Sequence, residues 1–227
     1  MAVNLVVVAH PDDEVLGFGG TGSLLADNGE TVQPIILCGS VEARTSRPDI
    51  VNLHNDMNTA NKLLGFEKPI LGEFPNLLMN TEPHLKIVKF IEEQILLFNP
   101  TRIFTHFPHD LNDDHYQISK ACQVASRIFQ RKSIYNNNLS SIYFMEILSS
   151  TDWSLTNSSN QFIPNTFIDI ERKMKNKLEA LKTYRNVMRD QPHPRSEEVL
   201  LANATYRGGQ SGFKFAEAFK LIYSTKL

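Results

Sequence analysis

The chain has 227 residues, 41% hydrophobic and 21% charged, and its 23 basic and 25 acidic residues leave a net charge of −2. That length predicts one domain spanning residues 1–227 with a sizeable core, and the near-neutral charge argues against a nucleic-acid binder that works by bulk electrostatics. The mean hydropathy is −0.25, no apolar run of about 18 residues suggests a membrane span, Met1–Leu5 lacks the basic start of a signal peptide, and two cysteines, Cys38 and Cys122, are too few for a disulfide framework or a thiolate zinc site.

The expectation is a reduced, soluble, cytoplasmic protein. In chain order, Leu5–Ala9 is a short apolar, β-branched run that predicts a strand buried on both faces. His10–Glu14 follows as a polar loop. Val15 begins a helix that stops near Asn28-Gly29. Thr31–Cys38 predicts a strand, 49–65 a helix, Lys68–Leu71 a short strand, 83–98 a helix and Arg102–His106 a further strand. A helix is expected over 114–131, a turn at Asn136–Asn138, a long Ser/Thr/Asn-rich loop over 150–165 and a helix over 171–186. Phe215–Tyr223 reads as a C-terminal helical stretch. The β-α-β alternation predicts an α/β fold: a Rossmann-like, mostly parallel sheet with helices on both faces.

In such sheets ligands bind beyond the carboxyl ends of the strands. The loops after Ala9 and after Thr105 lie at two such ends, and they carry the densest His/Asp clusters in the chain. Imidazole and carboxylate together suit a divalent ion such as zinc, and a catalytic zinc site needs about three protein ligands and an open position. His10 and Asp13, three residues apart at the entry to a helix, supply two ligands, and His115 from the second cluster offers the third. Asp12 is then placed to act as a base on a water whose pKa the ion lowers to roughly 7. The plainer alternative is that Asp12 and Asp114 each cap the helix that follows them.

Gly17–Gly22 also matches G-x-G-x-x-G as a string, with Glu42 about 20 residues further on. The first glycine sits eight residues beyond Ala9 instead of directly after the strand, so the glycines read as packing devices and not as a dinucleotide site. His54 and His84 lack acidic neighbours and read as ordinary surface residues. His106 and His109 flank the second cluster, and His193 sits between two prolines in an extended loop.

Ala9-His10-Pro11-Asp12-Asp13-Glu14 resembles the LmbE-like de-N-acetylases, which include the N-acetylglucosaminyl-phosphatidylinositol de-N-acetylases. Thr105-His106 through His109–His115 resembles the family's second motif. Phe74-Pro75-Asn76, Glu146 with Ser149–Thr151, Pro164-Asn165 with Asp169-Ile170, Gln191 with His193–Ser196, Arg207-Gly208 and Ala216–Phe219 extend the likeness nearly to the C-terminus.

The resemblance implies a Rossmann-like domain that hydrolyses the acetamide of an N-acetylated amino sugar or glycoconjugate. It also implies zinc, or another divalent ion such as iron(II), on His10, Asp13 and His115, with Asp12 as general base. Many members carry a histidine three residues before the last ligand, where this chain has Asn112. An amide donates a hydrogen bond but delivers no proton at neutral pH, so the acid or oxyanion-stabilising role passes to His193, with His109 the other candidate. Arg47, Arg195 and Arg207 are candidates for sugar hydroxyls or a phosphate, and Asn112 and His109 for further substrate contacts. A homo-oligomer is compatible with this reading. The alternatives are a metal-dependent phosphoesterase and a non-catalytic sugar-binding relative.

Overall fold

The computed structural model describes residues 1–39, 49–132, 137–155 and 160–225. Arg47 and Asn136 lie outside them. The first elements are β1 (Val3–Val8), α1 (Asp13–Asp27), β2 (Thr31–Ile36), α2 (Ile50–Leu64) and β3 (Ile70–Leu71). A short 3-10 helix (Met79–Thr81) leads to α3 (His84–Phe98), β4 (Arg102–His106), α4 (Asp113–Ala125) and α5 (Ile128–Arg131). The remainder is β5 (Ser141–Met145), β6 (Thr166–Asp169), α6 (Met174–Thr183), α7 (Glu197–Ser211) and β7 (Ala216–Ser224).

The seven strands form one sheet in the order β3-β2-β1-β4-β5-β7-β6. β1 pairs in parallel with β2 and β4, β2 with β3, and β4 with β5. β7 runs antiparallel between β5 and β6. The chain proceeds from β1 outward to β3 and then returns to the other side of β1, so strand order reverses between β1 and β4. Such a switch point opens a crevice at the carboxyl ends of the strands. Val7 is paired with Thr105, so the two polar loops leave the sheet side by side.

Alternate strand residues face opposite cores, as the pleat requires. Val6 and Val8 of β1 pack with Val15 and Phe18 of α1, Met57 of α2, Leu178 of α6 and Leu200 of α7. Leu5 and Val7 pack on the other side with Ile87 and Ile91 of α3, and Ile118 and Cys122 of α4. Both faces are therefore covered, and each such buried side chain contributes about 1.5–3 kcal/mol.

The glycines of α1 serve this packing. A Cβ on Gly20 would lie 2.9 Å from the side chain of Ile170, and one on Gly22 would lie 2.4 Å from the ring of Phe66. A buried ion pair braces the same stretch of helix. Lys177 Nζ lies 2.7 Å from Glu217 Oε1 and donates to the Leu16 carbonyl at 2.7 Å. Glu217 in turn accepts from the amides of Gly20 and Thr21.

Three expectations are corrected. Phe215–Tyr223 is not helical: Ala216–Ser224 is β7, held between β5 and β6. Its first four residues are all buried, so the period-2 signal of a strand is missing there. The predicted helix 114–131 begins at Asp113 and divides into α4 and α5. Asp114 is not its cap, because Asn112 accepts from the Asp114 amide in that role. Four elements were missed: the short 3-10 helix, β5, β6 and α7. The last has recognisable ends, with Ser196 accepting from Val199 N and Gly212 at φ 81°.

Candidate active site

The structure brings His10, Asp13 and His115 together, each about 1–2% exposed. One donor atom from each lies within 4.8 Å of the others. Asp13 Oδ2 is the hub, 3.2 Å from His10 Nδ1 and 3.3 Å from His115 Nε2. Each imidazole is oriented from behind by a carboxylate. His10 Nε2 lies 3.0 Å from Asp114 Oδ2, and His115 Nδ1 lies 2.9 Å from Asp110 Oδ2. A carboxylate there holds the proton on the rear nitrogen, so the front nitrogen is the one that can turn a lone pair to an ion, the usual support of a metal-bound histidine.

Two other donor groupings overlap this one: His10–Cys38–Asp114 and His106–Asp110–His115. Their atoms are already engaged. Asp114 also accepts from the amides of Leu77 and Met79 at 2.6 and 3.1 Å, and His106 Nε2 accepts the Ala9 amide at 2.8 Å. His10, Asp13 and His115 present two nitrogens and one oxygen, whose chemistry suits a divalent ion.

The charges are strongly biased. Burial would raise the Asp13 pKa, but the charge of His115 and hydrogen bonds from His10 and His115 hold it well below the usual carboxylate range. Burial would lower the His115 pKa, but Asp13 and Asp110 outweigh it and push the value up to about 10. His106 stacks on His115 with centroids 3.7 Å apart and planes at 15°. Its burial and the His115 charge drive its pKa well down, which keeps it neutral.

Asp12 departs from the capping alternative. Its side chain makes no cap hydrogen bond, and its backbone takes φ 119°, ψ −29°. Such a conformation costs a non-glycine residue about 1–3 kcal/mol unless its surroundings enforce it. Here they do. The Asp12 amide donates to Glu14 Oε2 at 3.0 Å, its carbonyl accepts from Val15 and Leu16, and Arg195 NH1 donates to Asp12 Oδ2 at 3.1 Å. The other oxygen, Asp12 Oδ1, is buried and has no hydrogen-bond partner among the described residues. A carboxylate oxygen in that state marks a place where a polar ligand belongs.

Arg195 is thus placed on Asp12, with further bonds to Ser149 Oγ at 3.0 Å and the Leu148 carbonyl at 3.4 Å. It lines a cavity of about 370 Å³ with Leu77, Asn112, Trp153, Arg189 and His193. His193 Nδ1 accepts the Arg195 amide at 3.0 Å, so the neutral ring carries its proton on Nε2. The ring meets Trp153 edge-on at 5.1 Å. Burial, followed by the charges of Arg195 and Arg189, lowers its pKa.

His109 is not among the residues lining this cavity. It lines a neighbouring cleft with Asp110, Asp113 and Tyr116. Arg207 is also away from the cavity lining and is bound to Glu146, with Nε 3.1 Å from Oε2.

Sequence reasoning missed Glu14, Asp110, Asn61 and Tyr184. Asp110, five residues before His115, and Glu14, next to Asp13, had a signal in their acidic spacing. Asn61 and Tyr184 had none, because only the fold brings them to Glu14.

An α/β sheet with buried imidazoles and carboxylates converging at its switch point presents a site whose donors could hold a divalent ion. Residues 5–126, just over half of the chain, match the family model for the GlcNAc-PI de-N-acetylases (PIG-L), and the chain belongs to that family. It is 24% identical to the diacetylchitobiose deacetylase of Thermococcus kodakarensis, across 96% of this chain and 82% of that protein. Among solved structures it is similar to a conserved protein of Thermus thermophilus, with a TM-score of 0.80 and 21% identity over 100% of this chain and 97% of that one. It is also similar to the 4-carboxy-2-hydroxymuconate hydratase of Pseudomonas putida, with a TM-score of 0.77 and 19% identity over 100% and 98% of the two chains. At these identities the solved structures show a shared fold. That one of them is a hydratase illustrates that the fold does not fix the reaction. No helix among the described residues is long and apolar enough to cross a membrane.

Proposed function

We propose that this chain is a metal-dependent de-N-acetylase of an N-acetylated amino sugar or sugar conjugate. His10, Asp13 and His115 hold zinc or a similar divalent ion in this reading. The family match supports the class of reaction. The observation that carries the site is the pairing of two carboxylate-oriented imidazoles on Asp13 with a partnerless oxygen of Asp12 beside them.

When bound, the ion supplies a Lewis acid that polarises the acetamide carbonyl and acidifies the attacking water. Asp12 Oδ1, the open oxygen, accepts the proton of that water. Arg195 on Oδ2 fixes the rotamer, a role beyond the substrate contact expected of it. His193 is neutral near pH 7 and donates from Nε2 to the developing oxyanion. With Nδ1 engaged by a backbone amide, the ring is a better hydrogen-bond donor than proton source. Asp12 therefore returns its proton to the departing amine. Asn112 uses its oxygen as the helix cap, so its amide nitrogen is the group left for substrate. Trp153, 45% exposed, offers an aromatic face to a sugar ring. The two cysteines are both buried, and so small a number suits a reducing cytoplasm.

The test is amine release from a panel of N-acetyl sugars by metal-loaded protein. Asp12→Ala is expected to keep the metal and lose at least about 1,000-fold in kcat, from combined loss of base catalysis and water orientation. His115→Ala is expected to lose the metal itself. Undiminished turnover after chelation, or an active Asp12→Ala, overturns the reading.

A further inference from the structure

The HPDDE motif contains a residue with no role in the chemistry above. Glu14 is fully buried, and both of its oxygens are engaged. Oε2 accepts the amide of Asp12 at 3.0 Å. Oε1 accepts from the Tyr184 hydroxyl at 2.5 Å, beyond the end of α6, and from Asn61 Nδ2 at 3.0 Å on α2. Asn61 is fixed in turn by its Nδ2 bond to the Met57 carbonyl. Glu14 therefore joins α2 and the residue that follows α6 to one backbone amide, that of the residue in the positive-φ conformation.

From this geometry we propose that Glu14 is a positioning residue, backed by Tyr184 and Asn61. It holds the Asp12 backbone at positive φ so that Oδ1 points toward the converging donors. A carboxylate suits this task because both ends must accept. A glutamine presents an acceptor at only one end, so either the Asp12 amide loses its partner or the Asn61 and Tyr184 donors face an NH₂ group. Tyr184 and Asn61 determine which way Glu14 points without touching Asp12. The proposal rests on the reading of Asp12 as the base, and its test includes a measurement that does not depend on that reading.

The test compares metal-loaded full-length wild type with Glu14→Gln and Tyr184→Phe. For Glu14→Gln we expect kcat to fall about 100-fold, as for a misplacement of about 1 Å, with KM within about twofold and one equivalent of metal retained. Tyr184→Phe removes one hydrogen bond and is expected to lower kcat by about three- to tenfold with the same split. A purely structural role would instead lower the active fraction and metal content together, with kcat per metal unchanged, and would overturn the proposal. So would a rise in KM at constant kcat. The substrate-free measurement is the amide exchange rate of Asp12, followed by NMR. Glu14→Gln is expected to accelerate it and Tyr184→Phe to do so less. If wild type releases no amine from any sugar, the functional reading fails, and the exchange rate alone decides the positioning. Wild-type protection in Glu14→Gln overturns it. If Glu14→Gln does not fold, Tyr184→Phe carries the same comparison.

Discussion

The part of the chain up to Arg131 supplies the convergent donors His10, Asp13 and His115. The described residues from Ser141 onward supply the groups that hold that part in shape. Arg195 lies on Asp12, Tyr184 on Glu14, and the Lys177–Glu217 pair on the middle of α1. Donors set the identity of a metal site, but a site a fraction of an ångström too loose loses its function. The antiparallel edge of the sheet and its helices therefore belong to the site as much as the parallel half does. The family match covers residues 5–126, so the residues that brace the site from the second part lie beyond the matched segment.

This division can be broken experimentally, beginning with its strongest brace. Lys177→Ala leaves Glu217 buried without its cation, and loss of one partner of a buried pair costs about 3–5 kcal/mol. Urea unfolding should show that loss. A cost below about 1 kcal/mol would mean that the second part does not brace α1 through this pair.

Behind the donors, Asp110→Asn should weaken metal binding by about 10–100-fold, the usual price of a lost orienting carboxylate, while changing stability much less. Unchanged affinity in a competition titration would show that Asp110 does not orient His115.

The smallest effect is a matter of protons. The carboxylates push the His115 pKa up to about 10 in the metal-free protein, so the ring is protonated at pH 7. A metal needs its lone pair, so binding should release about one proton. The apparent affinity should fall about tenfold for each pH unit lost below neutrality. Calorimetry in two buffers of different ionisation enthalpy measures that proton directly. A release near zero would place the metal away from His115.

Much of the first part was legible in the sequence because its signals are local. The apolar run Leu5–Ala9, the stop at Gly29 and the helix over 49–65 report burial and chain termination residue by residue. His10-Pro11-Asp12-Asp13 and Asn112–His115 stood out because polar clusters after predicted strands are informative once the strands are parallel. The errors fall where neighbours decide. Ala216–Ser224 is a strand because β5 and β6 flank it, and its doubly buried start erases the alternation that would have announced it. Arg195, a candidate substrate contact in the sequence, is also seated on Asp12, and nothing in its local sequence points to that partner.

The sequence by itself determined the alternation of elements, the two clusters and the chemistry they offer, since hydrophobic periodicity and ligand type are properties of short segments. Only the tertiary structure decided which nitrogen of each histidine faces Asp13, because Asp110 and Asp114 fix the rings from behind. It also decided that Asp12 takes a strained backbone instead of capping a helix. Apart from the local Asp110–His115 and Asp12–Glu14 bonds, those outcomes depend on hydrogen bonds between residues 47 to 183 positions apart, and such pairings exist only once the two cores have closed around the sheet.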